Sequence, residues 1–109
     1  MMAGEFAGRL RQRISVEQRV GGRDALGSAA GAWQLLATVW AAIEPDRSGD
    51  PSAADRVTSW PRYVVTLRRR DDLDLDCRVQ WQGGVYRLCA IERDPALPDR
   101  MTLRVEQMA

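Results

Sequence analysis

Arg78-Val79-Gln80-Trp81-Gln82-Gly83-Gly84-Val85-Tyr86-Arg87-Leu88 decides the fold. Val79 and Trp81 lie on one short strand, Gln82-Gly83-Gly84 makes a tight turn whose glycines permit positive φ, and a second strand runs from Val85 to Ile91. Working outward from this hairpin, Pro95 to Asp99 forms the next turn. Met101, Leu103 and Val105 then alternate with Thr102, Arg104 and Glu106 in a last strand. Upstream, Tyr63, Val65 and Leu67 oppose Arg62, Thr66 and Arg68. The strongest signal is the odd-numbered row Trp33, Leu35, Ala37, Val39, Ala41 and Ile43, set against Gln34, Thr38 and Glu44 and stopped by Pro45. Leu10, Ile14, Val16 and Val20 occupy even positions, with Arg11, Arg13, Ser15, Glu17 and Arg19 on the odd ones.

These segments predict an all-β fold. It is a small β-barrel of five to six mostly antiparallel strands that closes its own edges, with a two-layer sandwich as the structural alternative. Residues 10–109 form the single domain, and residues 1–9, with two glycines and little periodicity, are expected to be a flexible arm. Gly21, Gly22, Gly27 and Gly31 punctuate a long loop between the first two strands. A second long loop, residues 46–60, joins strands 2 and 3 and is rich in Asp, Ser, Gly, Ala and Pro, with room for one helical turn near Ser52 to Arg56. Loops beyond about 12 residues in a compact domain are usually functional or disordered, which makes this one the main functional candidate.

The 109 residues are enough for one modest core. The 16 basic residues, all arginine, nearly balance 15 acidic ones, so the overall field gives no drive toward nucleic acid or anionic membranes. A GC-rich genome is the simplest account of the arginine bias, and arginine also suits polar interfaces and phosphates. Nothing at the amino terminus resembles a signal peptide and no apolar run approaches the roughly 18 residues of a membrane span, so a soluble cytoplasmic product is expected. Cys77 and Cys89 are read as reduced thiols that act as small buried hydrophobes.

Catalytic chemistry has no visible apparatus. There is no histidine to serve as base or metal ligand, no lysine-bearing phosphate loop, and neither cysteine has an activating partner. Arg68-Arg69-Arg70 runs into Asp71, Asp72, Asp74 and Asp76, which reads as a solvated turn with mutual ion pairs. It lacks the glycine and closing glutamate of a calcium loop. Trp40 sits on the polar side of its strand, where it either covers a barrel end or anchors an interface.

Taken in order, several segments resemble the tailed-phage head-tail joining proteins, also called head-closure or stopper proteins. Gly8-Arg9-Leu10-Arg11-Gln12-Arg13-Ile14-Ser15-Val16-Glu17 looks like the family's opening strand, and Arg23-Asp24-Ala25-Leu26-Gly27 before Trp33 like its first loop. Val39-Trp40-Ala41-Ala42-Ile43-Glu44-Pro45 is similar to its second strand. Thr66-Leu67-Arg68, Arg78-Val79, Trp81, Gly83, Tyr86-Arg87-Leu88 and Ile91 fit its closing half. Gly84 departs from the family, standing where an arginine or lysine often follows the turn glycine. Cys77 replaces a frequent methionine, and the 46–60 loop lacks an aromatic and glutamine-rich stretch. Members rich in alanine and arginine resemble the versions in prophages and gene transfer agents.

The resemblance implies a structural protein with no enzymatic activity and no cofactor. It implies a ring of identical subunits in the particle's neck, made in the bacterial cytoplasm, docked on the portal or an adaptor ring, and meeting a tail terminator protein. Packaged double-stranded DNA lies in the channel. On that reading the loop with Asp46, Arg47, Ser48, Gly49, Asp50, Asp55 and Arg56 narrows the channel, its acids repelling DNA or its arginines gripping it. Arg9, Arg11, Arg13 and Trp40 face a neighbouring subunit or the adaptor. The alternative is an oligonucleotide-binding type of barrel in which Trp40, Trp60, Trp81 and Tyr86 stack bases beside arginines. A hydrolase or nuclease is weaker, because no metal-ligand cluster is visible.

Overall fold

The computed structural model describes residues 2–20, 32–47 and 60–108, with residues 2–5 as backbone only. One helix, α1 (Met2–Arg9), precedes six strands: β1 (Gln12–Arg19), β2 (Trp33–Pro45), β3 (Arg62–Arg68), β4 (Arg78–Trp81), β5 (Gly84–Glu92) and β6 (Arg100–Gln107). The strands close into a barrel in the order β1-β2-β3-β6-β5-β4, with β4 returning to β1 and every neighbouring pair antiparallel. The expected fold is therefore present, at six strands and as a barrel rather than a sandwich.

Alternation places the core. Ile14 and Val16 of β1, Val65 and Leu67 of β3, Val79 of β4, and Met101, Leu103 and Val105 of β6 are all buried, and full burial of each large aliphatic stabilises by about 1.5–3 kcal/mol. Leu73 and Cys77, from the acidic turn before β4, join the same cluster.

Two bulges change the phase that a strict alternation predicts. Val16 faces Ala37 while Glu17 faces Leu35, which leaves Leu36 as an extra residue on β2. Because side chains alternate with period two, the extra residue swaps the faces beyond it. Ile43, Ala41 and Val39 pack toward the core as expected, but Leu36 then takes the inward place and Leu35 is 58% exposed. Likewise Leu88 faces Val105 and Ala90 faces Arg104, so Cys89 has no register partner. Tyr86 and Leu88 point inward before this bulge and Ile91 after it. The expectation of two buried thiols fails for Cys89, which follows the inward Leu88 and so faces outward: Cys77 is buried and Cys89 is exposed.

The β4–β5 turn is the two-residue kind with both central φ angles positive, 48° at Gln82 and 79° at Gly83, which matches the right-handed twist of its strands. Gly84 belongs to β5 and serves a different purpose. A Cβ there would lie 3.0 Å from Cε1 of Tyr86 and 3.2 Å from its hydroxyl oxygen, so the tyrosine ring occupies the space a side chain would need.

The amino-terminal segment, expected as a flexible arm, contains α1. Phe6 and Leu10 stand four residues apart on one side and both are buried, Phe6 to 3% exposure. Arg9 lies in the last turn, where a cation suits the helix dipole, and Arg11 Nε donates to the Gly8 carbonyl oxygen at 2.9 Å. The segment's composition gives little periodicity because a single aromatic makes the contact.

Candidate interaction surfaces

The four residues expected at a subunit or adaptor interface come together around β1 and β2. Arg13 is directly opposite Trp40 across the strand pair, and its guanidinium carbon stands 4.9 Å from the ring centroid. Trp40 is 50% exposed. Arg9 and Arg11, both exposed, line a cleft of about 690 Å³ with Gln12, Ile43 and Glu44. Two further clefts flank Trp40. One of about 420 Å³ is lined by Thr38, Val39, Trp40 and Arg68 to Arg70, and one of about 510 Å³ by Ala7, Leu10, Arg11, Trp40 and Arg68.

At the other end of the β1–β2 hairpin, Trp33 is clamped between two guanidinium groups, Arg78 at 4.2 Å and Arg19 at 5.0 Å. Arg78 is held in place by Glu17, whose Oε1 accepts from Arg78 Nε at 2.7 Å and from Gln80 Nε2 at 2.8 Å. Burial pushes the Glu17 carboxyl up, but these hydrogen bonds and the Arg78 charge outweigh it, and the group stays ionised below its ordinary range.

A ladder of ion pairs crosses the outside of β3, β6 and β5. Glu106 accepts from Arg62 Nε at 3.0 Å and from Arg87 on the opposite side, and these two arginines hold its carboxyl below the usual glutamate range. Arg104 bridges Glu92, at 2.9 Å, and Asp46, at 3.0 Å. Asp46 is only 9% exposed on its side chain, and its N–H continues the strand pairing by donating to the Arg62 carbonyl oxygen. This first residue of the candidate channel loop is thus tied to the barrel wall. Arg47 is exposed. Ser48, Gly49, Asp50, Asp55 and Arg56 lie outside the described residues.

The charged turn before β4 carries the ion pairs its sequence implied, Arg69 with Asp71 at 3.0 Å and Arg70 with Asp72 at 2.7 Å. Asp74 organises it by accepting from the Asp76 N–H at 2.9 Å. Among the described residues, no group of three His, Cys, Asp or Glu side chains is placed to hold a metal ion.

Of the four rings that an oligonucleotide-binding reading would use, two are taken up in packing. Trp81 and Tyr86 meet Tyr63 at centroid distances of 5.1 and 5.7 Å, and Trp81 Nε1 donates to Gln12 Oε1 at 3.1 Å. Burial, with the neighbouring Tyr63 adding, raises the Tyr86 phenol above its ordinary value. Only Trp40 and Trp60 of that set remain open to solvent. The closed six-stranded antiparallel barrel also differs from the five-stranded, partly open oligonucleotide-binding barrel.

Sequence reasoning missed Phe6 and Arg68. Phe6 lies beneath Arg100, at 3.8 Å, and Arg68, at 5.9 Å, so α1 is joined to the barrel end beside Trp40. The available signal was the chain's one phenylalanine, isolated among Gly and Ala and four residues before Leu10.

Comparison with known proteins places this geometry. A family model described as phage head completion protein matches residues 7–107. No curated protein sequence matches the chain. Among solved structures, the solution structure of protein SF1141 from Shigella flexneri 2a superposes with a TM-score of 0.70 at 23% identity, covering 94% of this chain and 96% of that one. A chain of the virion of a native gene transfer agent particle superposes with a TM-score of 0.65 at 20% identity, covering 92% and 96%. At such identities the likeness to both structures concerns the fold.

Proposed function

The chain belongs to the phage head completion protein family, a structural protein of the phage head-tail region, and from that premise we propose that it forms a ring in the neck of a tailed phage, prophage or gene transfer agent particle. The ring sits between the portal or adaptor ring and the tail, docks the tail terminator and closes the DNA channel. The match over residues 7–107 carries this reading, because it takes in the whole barrel rather than one motif. Arg9, Arg11, Arg13 and Trp40 form the side that meets a neighbouring subunit or the adaptor, and the stacking of Arg13 on Trp40 beside clefts lined by Arg9 and Arg11 supports it. Each exposed ion pair adds only about 0–1 kcal/mol, so the arginines set register more than affinity.

Residues 46–60 narrow the channel. Asp46, paired to Arg104, anchors the base of this segment, and Arg47, Asp50, Asp55 and Arg56 are the residues that meet DNA. The protein is made and assembled in the bacterial cytoplasm.

Mass spectrometry of purified tailed particles tests the reading. A fixed, ring-like ratio of this protein to the portal subunit is expected, and absence from intact particles would overturn it. Deleting residues 50–56 should leave folded protein whose particles leak DNA or lack tails. Infectious or transducing particles of normal yield would remove the channel role while leaving the neck assignment.

A further inference from the structure

One stretch of strand edge in this barrel has no partner among the described residues. β2 pairs with β1 along Trp33 to Ala41 but with β3 only along Ala41 to Pro45. On the side away from β1, Trp33 to Val39 therefore presents main-chain N–H and C=O groups to no described strand. At about 3.3 Å per residue this edge is about 20 Å long. Proteins ordinarily keep such edges short, charged or covered, because an exposed edge recruits another strand. Here the edge carries Leu35 and ends at the exposed Trp40.

The fork where β3 leaves β2 supplies the chemistry. Thr38, Val39 and Trp40 form one wall of the 420 Å³ cleft and Arg68 to Arg70 the other. Arg69 and Arg70 have carboxylate partners in Asp71 and Asp72. Arg68 stacks on Phe6, Arg13 stacks on Trp40 and Arg11 caps α1, and none of the three forms an ion pair with any described carboxylate. An edge without a described partner thus runs into a half-exposed indole beside three cations, of which Arg11 and Arg13 have no carboxylate partner among the described residues and Arg68 acts only on the exposed Asp99, itself paired with Arg100.

We propose that the Trp33–Val39 edge accepts an extended acidic segment of another particle protein as an added strand. Main-chain hydrogen bonds to β2 supply affinity, Trp40 packs an apolar side chain of the incoming strand, and Arg11, Arg13 and Arg68 meet its carboxylates. The partner's being a particle protein rests on the neck role proposed above; the mode and the charge rest on this surface.

Photo-cross-linking within particles tests the inference. Benzoylphenylalanine is placed at Thr38, with a control at Gln82 in the β4–β5 turn, and the adducts are sequenced. Adducts from Thr38 on an Asp- and Glu-rich segment of another chain are expected, with none on that segment from Gln82. The double variant Arg13→Glu, Arg68→Glu should keep the fold by circular dichroism and lower adduct yield about tenfold. In particles that contain the protein, four results would overturn the added strand and leave the neck role standing. These are adducts on a helical, basic or uncharged segment, adducts on DNA, adducts unaffected by the charge reversal, and no adducts at all. Particles that lack the protein would overturn both.

Discussion

The β3–β6–β5 side of the barrel and the β1–β2 side are both written as apolar residues alternating with arginines, yet they treat those arginines differently. On the first, Arg62 and Arg87 converge on Glu106, and Arg104 joins Glu92 to Asp46, so four consecutive segments are cross-linked. Around β1 and β2, Arg13 and Arg19 lie over Trp40 and Trp33, Arg11 caps α1, and Arg68 at the adjoining end of β3 lies over Phe6, while the carboxylate pair there is that of Glu17 with Arg78 of β4. A guanidinium over a ring keeps its in-plane N–H donors available, whereas one in a carboxylate pair has committed them. The same residue type therefore consolidates one wall and leaves N–H donors open on the other.

This contrast can be broken from the consolidated side first. Leu103→Ala removes a fully buried side chain from β6 between β3 and β5 and should lower unfolding stability by about 3 kcal/mol in denaturant titration. A loss under about 1 kcal/mol would mean that the core closes over the gap.

Glu106→Gln should lose about 1–2 kcal/mol near neutral pH, since two arginines lose their common acceptor charge. Its pH profile sharpens the point. The folded carboxyl titrates below the unfolded glutamate value of about 4.3, so its contribution is present above that value and disappears as pH falls through the folded one. The parent should lose more stability than the variant between about pH 5 and pH 3, and parallel profiles would contradict the ladder. Glu17, lowered as well, leaves the variant a residual acid limb.

A smaller effect, about 1 kcal/mol, is expected for Gly84→Ala, because the new methyl meets a Tyr86 ring already held by Tyr63 and Trp81. Unchanged stability would show that the ring yields. Trp40→Ala should be the mildest, under about 0.5 kcal/mol, since the indole is half exposed. Its consequence belongs to assembly: particle incorporation should fall although the thermal midpoint barely moves, and normal incorporation would take Trp40 out of the interface.

Alternation read from sequence located all six strands, because Val65 and Leu67, or Leu103 and Val105, face a core directly and nothing interrupts their period. It went astray at Leu35, and would at Ile91 if counted on from Leu88, because a single extra residue on one strand is invisible until its partner strand is known. Helix α1 escaped because its docking depends on Phe6 meeting Arg68 and Arg100, two residues far away in the chain. Arg13 and Trp40, the residues proposed for an interface, were legible one at a time; their stacking follows from the register of β1 on β2, which composition does not encode. The Asp46–Arg104 pair was hidden for the same reason, being 58 residues apart.

The strand order also governs when the molecule can come into being. β6 fills the gap between β3 and β5, so during synthesis those two strands have no common neighbour until Arg100 to Gln107 has been made. At about 5–20 residues per second, several seconds separate the synthesis of β2 from that of β6. A chain whose closure depends on pairings this distant in sequence folds late and as a whole.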